Sequence, residues 1–179
     1  NIDERFAWLR DNAAVTLLWE RLGRADWADA HRRWLHDRAG DELPLAPVYA
    51  ADGARPRSEE DAGLPGWDGN GPVRVGQRAG SLLDLGALAA VCDVLDERTS
   101  WDRLERLGAW LAAHLGDADH GRWDERSRPR NHVESVLAAG AALRSLIGAA
   151  RRRNPLDTVV IGWSDAASAA SSWLAREAL

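Results

Sequence analysis

Residues 81–95, SLLDLGALAAVCDVL, decide the fold class, because they form a helix-length segment that is apolar on almost every side. A helix that is apolar all round has to be covered on both sides by other elements. This segment is therefore predicted to be an inner helix of a layered helical protein.

Five further segments have a helical period, and polar surface alternates along the series. The six predicted helices span about residues 12–22, 25–38, 81–95, 101–115, 132–151 and 164–178. The first, third and fifth carry few charges, whereas the second, fourth and sixth have clear polar faces. An inner layer of parallel helices, each followed by an antiparallel outer helix, is the simplest arrangement. The sequence thus predicts an all-α (α/α) toroid of about three helix hairpins, a single domain over residues 1–179 that forms an open arc.

Charge and composition restrict the partners and the compartment. The 179 residues carry a net charge of −5, and no face collects Arg without intervening carboxylates, which argues against a nucleic-acid partner. No apolar run reaches the roughly 20 residues of a membrane span, so no membrane partner is predicted. The single cysteine, Cys92, excludes an intrachain disulfide, and with no signal peptide this favours the cytoplasm. The chain lacks an initial Met, which leaves open a longer polypeptide.

No cofactor or metal site is indicated by the remaining chemistry-bearing residues. His31 and His36 do not have the spacing of a helical metal pair, and no phosphate-binding loop or nucleophile elbow occurs. The expected ligand set therefore contains neither a metal nor a cofactor.

Polar and aromatic residues come immediately before each predicted inner helix. These residues lie in segments 8–11, 72–77 and 121–132. The starts of parallel helices lie at one end of a layer, so we expect the three segments to converge there. Trp faces, Arg side chains and carboxylates suit a polyhydroxylated ligand. Taken singly, Asp11 is also explained as a helix cap and Arg74 as an exposed loop charge.

A long connection, residues 40–78, separates the second and third predicted helices. It is rich in Pro, Gly and acidic residues and contains Tyr49 and Trp67. Connections longer than about 12–15 residues are usually functional or disordered. We predict a functional loop.

Four short motifs in this order resemble glycoside hydrolase family 15, the glucoamylase group that includes some trehalases. They are Trp-x-Arg-Asp at 8–11, Tyr-x-x-Asp-Gly at 49–53, Pro-Val-Arg-x-Gly at 72–76, and a Gly-x-Trp…Arg…Pro-Arg stretch at 121–130. The resemblance implies the N-terminal half of an (α/α)6 barrel and an inverting mechanism that uses two carboxylates.

The same resemblance assigns the catalytic and sugar-binding positions. The family's general acid, a Glu, corresponds to Asp124, and Glu125 follows it; the family's base lies in the second half of the barrel. Because Asp is one methylene shorter than Glu, proton delivery from position 124 is in doubt. Gln77 stands where the family has Asn. The predicted sugar-binding residues are Trp8, Arg10, Asp11, Tyr49, Trp67, Arg74, Gln77, Trp123, Arg126 and Arg130.

Two functions from different classes follow. The first is a glucoamylase-like, inverting α-glycoside hydrolase acting on an α-glucoside or a trehalose-type substrate, incomplete in this chain. The alternative is a catalytically inactive module that binds sugar or another protein. In either case a carbohydrate ligand is expected, together with a second half-barrel or self-association through apolar helix edges.

Overall fold

The computed structural model describes residues 5–40, 43–95, 98–122, 128–153 and 158–177, which form six α-helices with little strand. The helices are α1 (Leu9–Arg21), α2 (Ala25–Ala39), α3 (Leu85–Val94), α4 (Trp101–His114), α5 (Val133–Arg153) and α6 (Val159–Glu177). The predicted all-α toroid class is confirmed.

The inner layer consists of α1, α3 and α5, with α3 in the middle. Helix α3 packs against α1 on one side and against α5 on the other. Its buried residues are Leu85, Gly86, Ala87, Leu88, Ala89, Val91, Cys92 and Val94. Coverage on both sides explains why this segment is apolar all round.

The outer layer consists of α2, α4 and α6. Helix α2 packs on α1, α6 packs on α5, and α4 contacts α6. Arg103 and Arg106 of α4 also donate to the backbone of α2, at the carbonyl oxygens of His36 (3.1 Å) and Ala39 (2.7 Å). These bonds join the first two outer helices at the end of α2.

Helices α1, α3 and α6 begin at residues other than those predicted, and α6 starts at Val159 rather than near residue 164. Helix α1 starts at Leu9 rather than near Asn12, so Arg10 and Asp11 lie within its first turn. Helix α3 starts at Leu85 rather than at 81, because Asp84 caps it and accepts a hydrogen bond from the amide of Ala87 at 2.9 Å. A short 3-10 helix, Arg78–Ser81, precedes it.

The long connection contains strands that were not predicted from the sequence. Strand β1 (Phe6–Trp8) pairs antiparallel with β2 (Val48–Ala50), and β3 (Glu60–Pro65) pairs antiparallel with β4 (Pro72–Val75). The amide of Leu9 also donates to the carbonyl of Pro47 at 2.9 Å. The first part of the connection is therefore fixed against the start of α1.

One described helix, α5, is long and apolar enough on average to cross a membrane, although no apolar run of that length was predicted. Half of its most apolar window is buried inside the protein, as in the core helices of soluble proteins. Its composition is therefore accounted for by packing between α3 and α6.

Candidate functional site

The first turn of α1 and the cap of α3 are joined by an ion pair between Arg10 and Asp84. Nη1 of Arg10 bonds to Oδ2 of Asp84, and the Asp84 side chain is only 4% exposed. Nη2 of Arg10 donates to the carbonyl oxygen of Arg122 at 2.8 Å. One guanidinium therefore holds two inner helices and the segment that leads to the third.

The Asp84 carboxyl is the titratable group most affected by this arrangement. Burial raises its pKa above the ordinary value, and the charge of Asp119 acts in the same direction. Arg10 and the amide of Ala87 oppose the shift, because both stabilise the ionised form. A buried carboxylate with an arginine partner is typical of a functional site, although structural ion pairs share this property.

Asp119 lies between α4 and α5 and is fully buried. Its Oδ2 accepts a hydrogen bond from the amide of Leu85 at 2.9 Å, so it contacts the first residue of α3. Its backbone exchanges two hydrogen bonds with Arg130, of 3.0 and 2.9 Å. The amide of His120 donates to the carbonyl of Leu83 at 3.0 Å. The segment before α5 is thereby fixed to the start of α3.

A small cavity lies at this junction. It is lined by Trp8, Pro47, Ala79, Leu82, Asp84, His120 and Gly121. Trp8 and Gly121, from two of the three predicted segments, thus meet beside the cap of α3, whereas no residue of segment 72–77 lines the cavity. The lining includes Trp8 and Asp84, and the guanidinium of Arg10 is paired with Asp84. Indole, guanidinium and carboxylate are groups that bind sugar rings and hydroxyls.

The predicted sugar-binding residues are not all at this junction. Trp8 lines the cavity, Arg10 holds Asp84, and the exposed Asp11 lies in the same helical turn. The buried Gln77 accepts from the amide of Ala79 and caps the 3-10 helix, and Arg130 pairs with Asp119 through the backbone.

The predicted sugar-binding residues in the long connection, residues 40–78, lie away from this junction. Tyr49 is fully buried, and its hydroxyl accepts from the amide of Ala46 at 3.1 Å, so this side chain belongs to the core and does not face a ligand. Trp67 is 84% exposed on a short turn. Arg74, on β4, donates to Glu59 at 2.9 Å. The structure thus does not gather these residues around Arg10.

The two candidate catalytic residues and two of the binding residues lie outside the described part of the chain. They are Asp124, Glu125, Trp123 and Arg126. Arg122, the last described residue before them, is held by Arg10 through its carbonyl and contacts Glu134 of α5 at 3.4 Å.

Three residues that the structure brings to the site were not predicted from the sequence. Asp84, Asp119 and His132 were not assigned a role. Asp84 had a local signal, because an Asp directly before an apolar helical run is a typical N-cap. Asp119 had none. Within the described residues, no group of three or more acidic, His or Cys side chains is placed to hold a metal ion.

The sequence matches the family model for glycosyl hydrolases family 15 over residues 1–177. It is 28% identical over 160 residues to trehalase 1 of Sulfolobus acidocaldarius, an alignment that covers 80% of this chain and 28% of that protein. It is 25% identical to a trehalase of Thermoplasma acidophilum, covering 84% of this chain and 28% of the relative. The chain therefore spans less than a third of the length of these curated relatives. No solved structure matches it significantly.

Proposed function

The chain belongs to glycosyl hydrolases family 15, and we propose that it supplies the sugar-binding end of an inverting α-glucoside hydrolase whose substrate is trehalose or a related α-glucoside. The observation that carries the proposal is the Arg10 guanidinium, held between Asp84 and the carbonyl of Arg122 where the inner helices begin. A cation fixed in this way presents donors to sugar hydroxyls without losing further conformational freedom on binding.

The substrate class is supported by the relatives and by the chemistry of the site. The curated relatives are trehalases, and trehalose is an uncharged molecule that offers only hydroxyl and ether oxygens. Arg10 and Asp11 supply a donor and an acceptor for the hydroxyls of the terminal sugar, and Trp8 supplies an apolar face. These three residues come from one short stretch at the start of α1.

The chemical step requires two carboxyl groups roughly 6.5–9.5 Å apart, one as acid and one as base for a water molecule. We assign the acid to Asp124 or Glu125, which follow Arg122 in the chain. In the family the base lies in the second half of the barrel, so the activity belongs to the full-length polypeptide. Inversion predicts that the glucose whose anomeric carbon is attacked leaves as the β-anomer, so trehalose first gives β- and α-glucose in equal amounts, whereas retention would give the α-anomer alone.

The test uses the full-length polypeptide, with trehalose and maltose as substrates. Glucose release is measured for the wild type and for Asp124→Asn, Glu125→Gln and the double variant, and proton NMR identifies the anomers first formed. Asp165→Asn, an exposed position on the outer helix α6, is the matched control. Loss of at least about 100-fold in kcat in one acid variant, with the control unaffected, supports the assignment. Hydrolysis that survives the double variant disproves it.

A second function, an inactive module that binds sugar or protein, is favoured by two observations. Position 124 is Asp where the family has Glu, and the exposed large apolar side chains include Leu17, Leu18 and Leu137 of the inner helices α1 and α5. Calorimetry with glucose and trehalose distinguishes this function from the first. Binding without any glucose release favours the module, whereas release that depends on the acid favours the hydrolase.

A further inference from the structure

In the buried carboxylate of Asp119, one oxygen accepts a hydrogen bond and the other does not. Oδ2 accepts from the amide of Leu85, whereas Oδ1 has no hydrogen-bond partner among the described residues. Buried carboxylate oxygens are normally satisfied, since an unpaired one loses its hydration without replacement. Asp119 is therefore a group that the fold maintains in a costly environment.

His132, just before α5, faces the unpaired oxygen. Its Nε2 is buried, has no hydrogen-bond partner in the described part of the chain, and lies 4.0 Å from Oδ1 of Asp119. This distance exceeds that of a hydrogen bond by several tenths of an ångström. The ring is confined on one side by Gly121, where a Cβ atom would lie 2.9 Å from two of its atoms. Since Gly121 also has a φ of +63°, any other residue there would be strained.

Asp119 is connected to Arg10 through a closed chain of contacts. Its carboxylate fixes the amide of Leu85, and the preceding residue, Asp84, forms the ion pair with Arg10. The other end of the Arg10 guanidinium holds the carbonyl of Arg122, three residues after Asp119. A shift of Asp119 therefore moves both groups that orient the guanidinium.

We propose that Asp119 is a positioning residue for sugar recognition, which sets the Arg10 guanidinium through Leu85 and Asp84 and has His132 as its second partner. The inference rests on the proposed function, because it requires that Arg10 contacts the sugar. Asp119 itself would not contact the ligand. A purely structural cap of α3 would affect the stability of the protein but not the sugar affinity of the folded protein.

Electrostatics provides a readout that separates the two roles. The charge of Asp119 is one of the causes that raise the pKa of Asp84. Among the described residues, the other titratable or charged groups around these two carboxylates are Arg10 from α1, and His120, Arg122 and His132 from the segment before α5. Asp119→Asn keeps an oxygen acceptor for Leu85 but removes the charge. The pKa of Asp84 then falls, so its ion pair with Arg10 persists to lower pH.

The experiment compares Asp119→Asn, Asp119→Ala and wild type in the full-length protein. Asp117→Asn, the same change two residues earlier at an exposed position, is the control. With trehalose or maltose, KM is measured against pH, and the fraction folded is checked by thermal unfolding. For Asp119→Ala we expect KM to rise at least about tenfold, because a misplaced contact group weakens binding. For Asp119→Asn we expect the rise in KM on the acid side to begin at lower pH than in wild type.

A measurement without substrate turnover keeps the inference separate from the proposed function. Hydrogen exchange, followed by mass spectrometry, reports on the amide of Leu85, which Asp119→Ala exposes and Asp119→Asn protects. If the wild type binds glucose by calorimetry but hydrolyses nothing, the hydrolase proposal fails, and weaker glucose binding by Asp119→Ala still supports the inference. If the wild type hydrolyses trehalose and folded Asp119→Ala has unchanged KM and pH dependence, the inference alone is overturned. Absence of both binding and hydrolysis overturns both.

Discussion

The guanidinium of Arg10, in the first turn of α1, forms an ion pair with Asp84, the N-cap of α3, although 74 positions separate them in the chain. Its second terminal nitrogen reaches the carbonyl of Arg122. Only a planar side chain with several fixed donors makes both contacts at once. The orientation of the inner helices and the orientation of a sugar-binding group are therefore determined by the same residue.

Arg10→Lys tests the importance of this fork. Lysine keeps the positive charge but has a single donor centre, so one of the two contacts is lost. In the full-length protein we expect kcat/KM for trehalose or maltose to fall roughly 10- to 100-fold, the effect of one charge-assisted hydrogen bond. Arg33→Lys, at an exposed position on α2, should leave the kinetics unchanged. Equal activity of the two variants would contradict the role of Arg10.

Asp84→Asn should alter how stability depends on pH. Because burial raises the pKa of Asp84 in the folded protein, the folded state holds this proton more tightly than the unfolded state. The resulting stability is fully present below the ordinary value of 3.8 and is lost as the pH rises through the folded-state pKa. Relative to the variant, which cannot titrate there, the wild type should become less stable as the pH rises through this range. Urea unfolding at a series of pH values measures the difference.

Asp26→Asn serves as the comparison for that series, because it should show the opposite sign. The pKa of Asp26 is lowered, mainly by its hydrogen bond with Arg24, so its contribution is present above 3.8 and disappears as the pH falls. Parallel pH dependences for the two variants would refute the assignment of a raised pKa to Asp84.

Gly108→Ala should destabilise the contact between two outer helices. A Cβ atom on Gly108 of α4 would lie 2.4 Å from Cζ2 of Trp163, a buried residue of α6. Forcing an extra carbon into a packed core costs about 1–3 kcal/mol. Gly162→Ala, where a Cβ atom meets nothing within 4 Å, should instead stabilise α6 by roughly 0.5–1 kcal/mol. Urea unfolding gives both values, and a neutral or stabilising Gly108→Ala would show that the indole moves aside.

Cys92 should be unreactive in the folded protein. It lies on the buried α3, and burial raises the pKa of its thiol to about 12. Since the thiolate is the nucleophile, iodoacetamide at about pH 8 should not modify it until the protein is unfolded. Peptide mass spectrometry with and without urea makes the comparison. Rapid modification of the native protein would show that α3 is not covered on both sides.

The sequence by itself determined the layering of the helices. The alternation of weakly charged and amphipathic segments distinguishes inner from outer helices, because burial on both sides or on one side is recorded in the apolar period of each helix. Helix α2 was predicted over residues 25–38 and occupies Ala25–Ala39, and α4 was predicted over 101–115 and occupies Trp101–His114. The ordered motifs likewise indicated the family that the comparisons show.

The short strands, and the positions of residues in the long connection (residues 40–78), could not be predicted from the local sequence. Strand β1 has three residues, and its partner β2 lies about 40 positions away, too short and too distant for an alternating pattern to be recognised. Tyr49 matches the family motif, but it lies on β2 with its side chain in the core. There its hydroxyl accepts a hydrogen bond from the amide of Ala46. A motif match therefore indicates the family, but it does not show that the matched side chain faces a ligand.

Only the tertiary structure decided the composition of the site. Asp84 lies before α3, whereas Asp119 and His132 lie in the segment before α5, and each alone resembles an ordinary cap or loop residue. They meet because the inner helices start at the same end of the layer, which brings Leu85 to Asp119 and Arg10 to Asp84. Helix periodicity follows from interactions over three or four residues and is therefore written in the sequence. Contacts between segments this far apart depend on how whole helices pack, and the sequence records that packing only indirectly.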